Sequence, residues 1–403
     1  TILKLLAVPL VAFLGTLPLT VFYFHKIPLL SVPMNLIITP IVCFILMPLS
    51  ILSSLMYLIT GLWPLTALTE HLARAVLRIV YSISSFPHIV IPVRALPVAL
   101  IISVYLFLFA LSIRKRSLTV FASILIGLSL VFSTGLYEFK KPMVTFLDVG
   151  QGDSAVVETS DNKTIVIDTG NTGRETAAYL SYRGINTIDA LVLTHADQDH
   201  SGGFYRLIDY FRVKELWDNG ELRYSRLPQG IRHRSLLAGT VLKADKSSFQ
   251  VLHPFRGYYS IKGSERNNHS LVMKFSDEPL SVLFTGDAEE DAEKTMLAYK
   301  NLLRARLLKV SHHGSHTATT RAFLYALSPE VAVISVGRHN RYGHPHRDVL
   351  IRLAPYRLFR TDLHGSIRIY KKDTNTFSVA TYSDMALRDI IPDYSPLEEL
   401  KNL

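Results

Sequence analysis

The sequence predicts two unlike parts, a group of transmembrane α-helices followed by a layered α/β domain. Three observations lead to this prediction. Long apolar runs fill the first third of the 403 residues, and short strands alternate with helices after residue 143. A loop rich in histidine and aspartate also follows one of the predicted strands. The elements that support these statements are taken below in chain order.

Positive charge is concentrated in the first third of the chain. Residues 1–141 hold ten lysines and arginines against two acids, so they carry +8 of the formal net charge of +10. The basic balance therefore does not by itself indicate a nucleic-acid-binding domain. Cys43 is the only cysteine, which excludes an internal disulfide. Because Thr1 lies at the start of an apolar run, we interpret the chain as a fragment of a longer protein.

Four apolar runs have the length of membrane-spanning helices, which need about 20 residues. They cover residues 1–24, 28–60, 96–113 and 117–137. Pro33, Pro40 and Pro48 within the second run predict a helix that is kinked or broken. A buried helix of a soluble core is the alternative for any one run, but four runs of this length argue against it.

Residues 64–92 have a different pattern. Apolar residues recur at helical spacing, whereas Glu70, Arg74 and Arg78 fall at other positions. This pattern predicts an amphipathic helix, which lies either on the membrane surface or against the other helices.

The basic loops predict the orientation of the four spans. The loops at residues 25–26 and 114–116 lie on one side of the membrane, which the positive-inside rule makes cytoplasmic. The fourth span then leads outward, so we expect the residues after 138 to be extracytoplasmic.

The second part begins at Met143, where short apolar strands separated by glycine and aspartate turns alternate with helices. Predicted strands include 143–147, 155–158, 164–167, 191–193, 271–275, 281–284, 307–310 and 331–334. We therefore predict a membrane domain at 1–138, a layered α/β domain at 142–375 and a loosely attached tail at 376–403.

The loop between residues 195 and 200 carries four potential metal ligands, which are His195, Asp197, Asp199 and His200. Imidazole and carboxylate groups together suit zinc, manganese or iron. Other polar residues also follow predicted strands, namely Asp148, Asp153, Asp168, Asp287, His312, His313 and His344. A polar turn with a helix cap is the alternative for the loop alone. The repeated placement at strand ends favours a metal site, because such ends present functional groups from a rigid scaffold.

Several motifs resemble a known superfamily. The motifs are Phe146–Asp153, the His-x-Asp-x-Asp-His loop, Phe284–Asp287 and His312–Ser315. Together they are similar to the motifs of the metallo-β-lactamase superfamily. With residues 337–345 and 35–41, they resemble more narrowly the ComEC family, the DNA-uptake channel of naturally transformable bacteria. The resemblance extends over nearly the whole chain to about residue 372.

The resemblance implies an αββα sandwich that holds two divalent metal ions at a sheet edge. His195 and Asp197 would hold one ion, and Asp199 and His200 the other. Asp287 would bridge the two ions, while His312 would complete the second site, with His313 as the less favoured choice. The superfamily usually has histidine where Asp197 stands, so this oxygen ligand leaves both Zn²⁺ and Mn²⁺ open. The further residues expected to line the site are Asp148, Asp153, Asn267, His269, His313 and Ser315.

The resemblance also implies a multi-pass protein of the bacterial inner or cell membrane that internalises DNA in natural transformation. Its extracytoplasmic domain would be a metal-dependent nuclease or phosphodiesterase that degrades the strand left outside. Asp199 would orient the nucleophile, and His344 would protonate the leaving oxygen or hold a phosphate. Expected partners are DNA, membrane lipid, other competence DNA-uptake proteins and further copies of the chain. Two alternatives stay open: a soluble domain that only binds or gates DNA, and a hydrolase of another phosphoester.

Overall fold

The computed structural model describes residues 2–84, 90–93, 96–136 and 141–382. The chain divides into two units, Thr1–Ser133 with Ser181–Gly184, and Thr134–Leu180 with Ile185–Leu403. Part of the predicted amphipathic segment, residues 85–89, lies outside the described residues. So do residues 383–403 of the predicted tail.

The first unit is built from helices and one short strand pair. Its described helices are α1 (Ile2–Phe24), α2 (Ser31–Ile41), α3 (Met47–Thr60), α4 (Thr66–Ser84), α5 (Val98–Ser112) and α6 (Arg116–Leu136). Strands β1 (Lys26–Pro28) and β2 (Val90–Pro92) pair antiparallel. A π-helical segment, Val42–Leu46, joins α2 to α3. The prolines therefore do not break this run, although Pro40 lies just before its hydrogen-bond pattern changes.

Two helical runs of the first unit are long and apolar enough to cross a membrane, Ala7–Phe24 and Ser31–Thr60. Shorter apolar helices, Val98–Ser112 and Arg116–Val131, coincide with the other two predicted spans. Only 6% of the residues in each long run are buried within the structure. Large apolar side chains such as Phe44 and Ile59 are therefore exposed, and they require an apolar environment.

The second unit contains two β-sheets with helices on their outer faces. Its strands are β3 (Met143–Phe146), β4 (Ala155–Glu158), β5 (Thr164–Ile167), β6 (Thr187–Val192), β7 (Arg212–Asp218), β8 (Arg232–Ser235), β9 (Val241–Lys243), β10 (Ser248–His253), β11 (Val272–Asp277), β12 (Leu280–Phe284), β13 (Leu307–Lys309), β14 (Val331–Ile334), β15 (Arg357–Arg360), β16 (Ile367–Lys371) and β17 (Phe377–Thr381). Its α-helices are α7 (Arg174–Tyr182), α8 (Gln198–Ser201), α9 (Phe204–Tyr210), α10 (Glu265–Asn268), α11 (Glu290–Met296), α12 (Arg321–Leu327), α13 (Arg347–Leu353) and α14 (Thr361–His364).

Both sheets are mixed. Within the described residues, one sheet has the order β17-β16-β3-β4-β5-β6-β7-β8 and the other β15-β14-β13-β12-β11-β10-β9. The strands from β5 to β8 run parallel, and so do those from β12 to β15. Strand β17 pairs with β16, so the sheet extends past the predicted domain boundary at residue 375.

Three apolar cores hold the layers together. Phe146 and Phe284 belong to the core between the two sheets, and their ring centroids lie 5.9 Å apart. Leu180 of α7 and Leu207 of α9 pack on the outer face of the eight-stranded sheet. Helices α11, α12 and α13 cover the seven-stranded sheet in the same way. Because each sheet is covered on both faces, central strands such as β5 and β14 are buried along their whole length and almost continuously apolar. The predicted αββα sandwich is confirmed.

Candidate metal centre

Polar residues from both sheets converge at one edge of the sandwich. Asp168 follows β5, and the loop from His195 to His200 follows β6. In the other sheet, Asp287 lies just after β12, and His313 lies in a 3₁₀ turn after β13. Neighbouring parallel strands end at the same sheet edge, which explains why residues distant in the chain meet here.

The first group of potential ligands is His195, His200 and Asp287, all of which are buried. The Nε2 atom of His195 lies 3.7 Å from Asp197 Oδ2 and 3.8 Å from Asp287 Oδ2. This nitrogen is buried and has no hydrogen-bond partner. Buried polar atoms are rarely left unpaired, so a nitrogen that faces two carboxylates fits a metal ligand.

The second group of potential ligands is Asp199, His200 and His313. His313 Nε2 lies 3.3 Å from His200 Nε2 and 3.3 Å from Asp199 Oδ2. The same nitrogen lies 3.7 Å from Asp287 Oδ2, while His200 Nε2 lies 3.2 Å from Asp287 Oδ1. Asp287 is therefore close to both groups, as a carboxylate that bridges two ions must be.

The neighbouring histidines of the 3₁₀ turn have different environments. His312 Nε2 lies 3.9 Å from Asp287 Oδ2, and its Nδ1 lies 3.2 Å from Glu289 Oε1. The His312 side chain is 22% exposed, against 2% for His313. His313, rather than His312, is thus the residue that the structure places beside Asp199 and His200.

Hydrogen bonds at the Nδ1 atoms orient the imidazoles. Asp168 Oδ2 lies 2.8 Å from His200 Nδ1, and the Asp168 carboxylate also accepts hydrogen bonds from the backbone and side chain of Thr194. His313 Nδ1 donates to the carbonyl oxygen of Ser335 at 2.9 Å. These contacts direct Nε2 of each ring into the centre. Metal-binding histidines are commonly oriented by such a hydrogen bond at their other ring nitrogen. The sequence had marked Asp168 only as a strand-end residue, without this role.

A buried lysine lies beside the centre and was missed by the sequence analysis. Lys309 Nζ is 2.6 Å from Asp153 Oδ2, and both side chains are more than nine-tenths buried. The other oxygen of Asp153 lies 3.4 Å from His313 Nδ1. Lysine is almost never buried without a partner, and it stands here in the apolar strand β13. That position was the available signal for a buried ion pair.

Opposite charges strongly perturb the titration of the centre. Burial alone would lower the pKa of His313, but the carboxylates of Asp287 and Asp153 outweigh it and raise the pKa to about 10. Burial would raise the pKa of Asp287, yet His200 and His313 hold it well below its usual range. The carboxylates thus favour the protonated forms of His200 and His313 beside an ionised Asp287. A metal ion that binds here must displace protons, so its affinity depends on pH.

The remaining predicted residues lie at differing distances from the ligand groups. Asn267 Nδ2 is 3.5 Å from His312 Nε2, and the ring of His344 is 5.6 Å from that of His312. Burial, with His312 and His313 nearby, lowers the pKa of His344 to about 4. Three further predicted residues lie outside the ligand groups found among the described residues; they are Asp148, His269 and Ser315. Asp148 accepts from Gly150, His269 pairs with Glu221, and Ser315 contacts Thr317.

Comparisons with known proteins give a separate match for each part of the chain. Residues 147–338 match the metallo-β-lactamase superfamily, and residues 1–118 match the competence protein family. The chain is 31% identical to ComE operon protein 3 of Bacillus subtilis, over 93% of this chain and 53% of that protein. It is 30% identical to competence protein ComA of Neisseria gonorrhoeae, over 86% of this chain and 49% of that protein.

A solved structure is also similar to part of the chain. The metallo-β-lactamase fold protein YhfI from Bacillus subtilis is 10% identical, with a TM-score of 0.38, and covers 60% of this chain and 100% of its own. The chain spans about half the length of the two competence relatives. The chain therefore combines a competence domain in its first part with a domain of the metallo-β-lactamase superfamily in its second part.

Proposed function

We propose that the second unit is a metal-dependent phosphodiesterase that cleaves DNA during its uptake across a membrane. The observation that carries the proposal is two ligand groups that share His200; Asp287 belongs to one of them and lies 3.7 Å from His313 of the other. Two such groups suit a pair of divalent cations, which is a common arrangement for phosphodiester hydrolysis. The family match supports DNA as the substrate.

The ligand set that we propose keeps five of the residues picked out by the sequence. His195 and Asp197 would hold one ion, Asp199 and His200 the other, and Asp287 would lie between them. His313 takes the place that the resemblance had assigned to His312, because its Nε2 lies among these ligands and is more deeply buried. Histidine and carboxylate ligands in these proportions suit either Zn²⁺ or Mn²⁺.

The residues of the chain would act around the ions as follows. Bound divalent cations would supply Lewis acidity, which polarises a phosphoryl oxygen and makes water a nucleophile near neutral pH. Asp199, whose side chain is about one-third exposed, would orient the attacking water. His344 is neutral at pH 7, since its pKa is about 4. A neutral imidazole suits it to hold a phosphate or leaving oxygen through an N–H group rather than to deliver a proton.

The first unit would place this chemistry at a membrane. We propose that it forms part of a channel for one DNA strand in the bacterial inner or cell membrane. The hydrolase domain would lie outside the cytoplasm and degrade the other strand. Further partners would be other competence DNA-uptake proteins and further copies of the chain. The apolar helices and the match to the competence family support this arrangement.

A nuclease assay on the full chain in detergent micelles tests the activity. With Mn²⁺ or Zn²⁺ added, we expect cleavage of end-labelled DNA by the original chain and by Asp245→Ala. Asp245 is exposed and serves as the control for loss of a carboxylate. Asp287→Ala should abolish cleavage. Absence of cleavage with either metal, or equal cleavage by Asp287→Ala, would reject the nuclease, and DNA binding without cleavage would favour a binding or gating module.

The sidedness has a separate test. An alkaline phosphatase reporter fused after residue 141 is active only when it is exported from the cytoplasm. We expect activity in cells that express this fusion. An inactive but stable fusion would place the hydrolase domain in the cytoplasm.

A further inference from the structure

The two oxygens of Asp197 have different neighbours. Oδ2 lies 3.7 Å from His195 Nε2 and faces the metal centre. Oδ1 accepts a hydrogen bond from Nη1 of Arg266 at 2.6 Å. One oxygen of Asp197 thus faces the centre, and the other binds a guanidinium group on the outer side.

We propose that Arg266 has two roles at this centre, as the positioning residue of Asp197 and as a binding residue for the phosphate of the substrate. The first role depends only on the metal site. The second rests on the proposed phosphodiesterase function and assigns it an anionic phosphodiester as the substrate class.

The first role follows from the geometry of a carboxylate ligand. A carboxylate can rotate and can bind an ion through either oxygen, so its direction must be held by a partner. Arg266 occupies Oδ1 with a charge-assisted hydrogen bond, which leaves Oδ2 for the ion.

The short helix that carries Arg266 is anchored to the metal-binding loops. Ser264 caps α10, because its side chain accepts from the backbone N–H of Asn267. The backbone N–H of Ser264 donates to Glu289 Oε2 at 2.8 Å. Asn268 is fully buried, and its Oδ1 accepts from the backbone N–H of Glu289 at 3.0 Å. Since Glu289 follows Asp287 by two residues, these contacts fix the position of the helix that carries Arg266 relative to the centre.

The second role follows from the free part of the guanidinium group. The Arg266 side chain is 64% exposed, and the contact with Asp197 uses only Nη1. Arginine carries five N–H donors in a planar fork that matches two oxygens of a phosphate. The Asp197 side chain is itself 31% exposed, so the centre opens to solvent next to Arg266. A phosphodiester that approaches from this side meets the remaining donors before it reaches the ligands.

An ordinary surface ion pair would behave differently, because such pairs contribute little and are screened by salt. Three variants of the full chain in detergent separate the two cases: Arg266→Gln, Arg266→Lys and the control Arg256→Gln. Arg256 is an exposed arginine in the loop that precedes α10, and it has no role in the centre.

Metal affinity measured by calorimetric titration with Mn²⁺ and with Zn²⁺ tests the positioning role. We expect Arg266→Gln to weaken the binding of one ion by about tenfold or more. Arg266→Lys should restore part of the loss, since it keeps the charge but not the fork. Arg256→Gln should match the original chain. Equal affinities for Arg266→Gln and Arg256→Gln would overturn this role.

Substrate binding gives the second readout. For Arg266→Gln we expect KM for DNA to rise about tenfold with a smaller change in kcat. The slope of log affinity for DNA against log salt should become shallower by about one. An unchanged KM and an unchanged salt slope would overturn phosphate binding by Arg266.

The outcomes separate this inference from the proposed function. If Asp287→Ala abolishes cleavage while Arg266→Gln matches Arg256→Gln in every measurement, the inference fails and the function stands. If the original chain cleaves no DNA, the proposed function fails and phosphate binding by Arg266 fails with it. The metal titrations then still decide whether Arg266 positions Asp197.

Discussion

The Nε2 atoms of His200 and His313 lie 3.3 Å apart in the interior of the second unit, although the residues are 113 positions apart in the chain. The first follows β6 of one sheet, and the second follows β13 of the other. Two imidazole nitrogens at this distance repel each other when both are protonated. A cation held by both nitrogens would replace these protons and remove the repulsion, which leads to the first prediction.

We predict that His313→Ala weakens metal binding far more than His312→Ala does. His313 Nε2 lies among carboxylate and imidazole groups, whereas Nδ1 of His312 is turned toward Glu289. Loss of a direct ligand should lower metal affinity by at least about 10–100-fold, which is the range typical for loss of a residue that hydrogen-bonds to a ligand. Metal content after dialysis and calorimetric titration measure the difference. A greater loss for His312→Ala would show that the turn rearranges when metal binds.

Asp168→Asn should lower metal affinity about 10–100-fold while the fold is kept. The Asp168 carboxylate accepts hydrogen bonds from Thr194 and lies 2.8 Å from His200 Nδ1, so it orients that ring. An amide has only one accepting oxygen and must give up one of these contacts. Calorimetric titration with Mn²⁺ checks the affinity, and circular dichroism checks the fold. Asp245→Asn is the control, and an affinity equal to that of this control would contradict the orienting role.

Lys309→Met should destabilise the second unit by about 3–5 kcal/mol, because it removes the lysine that pairs with Oδ2 of the buried Asp153 carboxylate. Adding Asp153→Asn to this variant should restore a large part of the loss, since no buried charge then remains unpaired. Denaturant unfolding followed by the fluorescence of Trp217, in a Trp63→Phe background, measures both. These are the two tryptophans of the chain. The free energy of unfolding lost in the double variant is compared with the sum of the losses in Lys309→Met and Asp153→Asn measured alone. Equal values would show that the two residues are not coupled.

Glu293 should make the stability of the second unit depend on pH. Burial raises its pKa from 4.5 to about 6, against the hydrogen bonds that it accepts from Thr319 and Thr320. The folded state thus favours the neutral acid. Its stabilising contribution is complete below pH 4.5 and is lost as pH rises through 6.

The matching measurement compares the original chain with Glu293→Gln at several pH values. The free energy of unfolding of the original chain minus that of Glu293→Gln should fall by about 2 kcal/mol between pH 4 and pH 7.5. The same tryptophan signal reports it. A difference that stays constant over this range would show that Glu293 does not titrate in the folded state.

Local patterns in the sequence were sufficient for the order of the main elements. Apolar runs, alternation and glycine turns depend on neighbouring residues, and the strands predicted at 155–158, 164–167 and 331–334 coincide with β4, β5 and β14. Strands such as β8 and β17 were not predicted. The residues of β8 are mostly exposed, and β17 lies at the edge of its sheet, so neither carries the apolar pattern of a buried strand.

The sequence by itself determined the fold class, from its apolar runs and strand patterns, and the loop from His195 to His200, because six adjacent residues hold four potential ligands without help from the rest of the chain. Only the tertiary structure decided which of His312 and His313 faces that loop. Both residues have φ near +50°, and their side-chain directions depend on the turn in which β13 ends. Only the tertiary structure brought Lys309 to Asp153 and Arg266 to Asp197 as well. These contacts join segments far apart in the chain, and no local pattern encodes the distance between them.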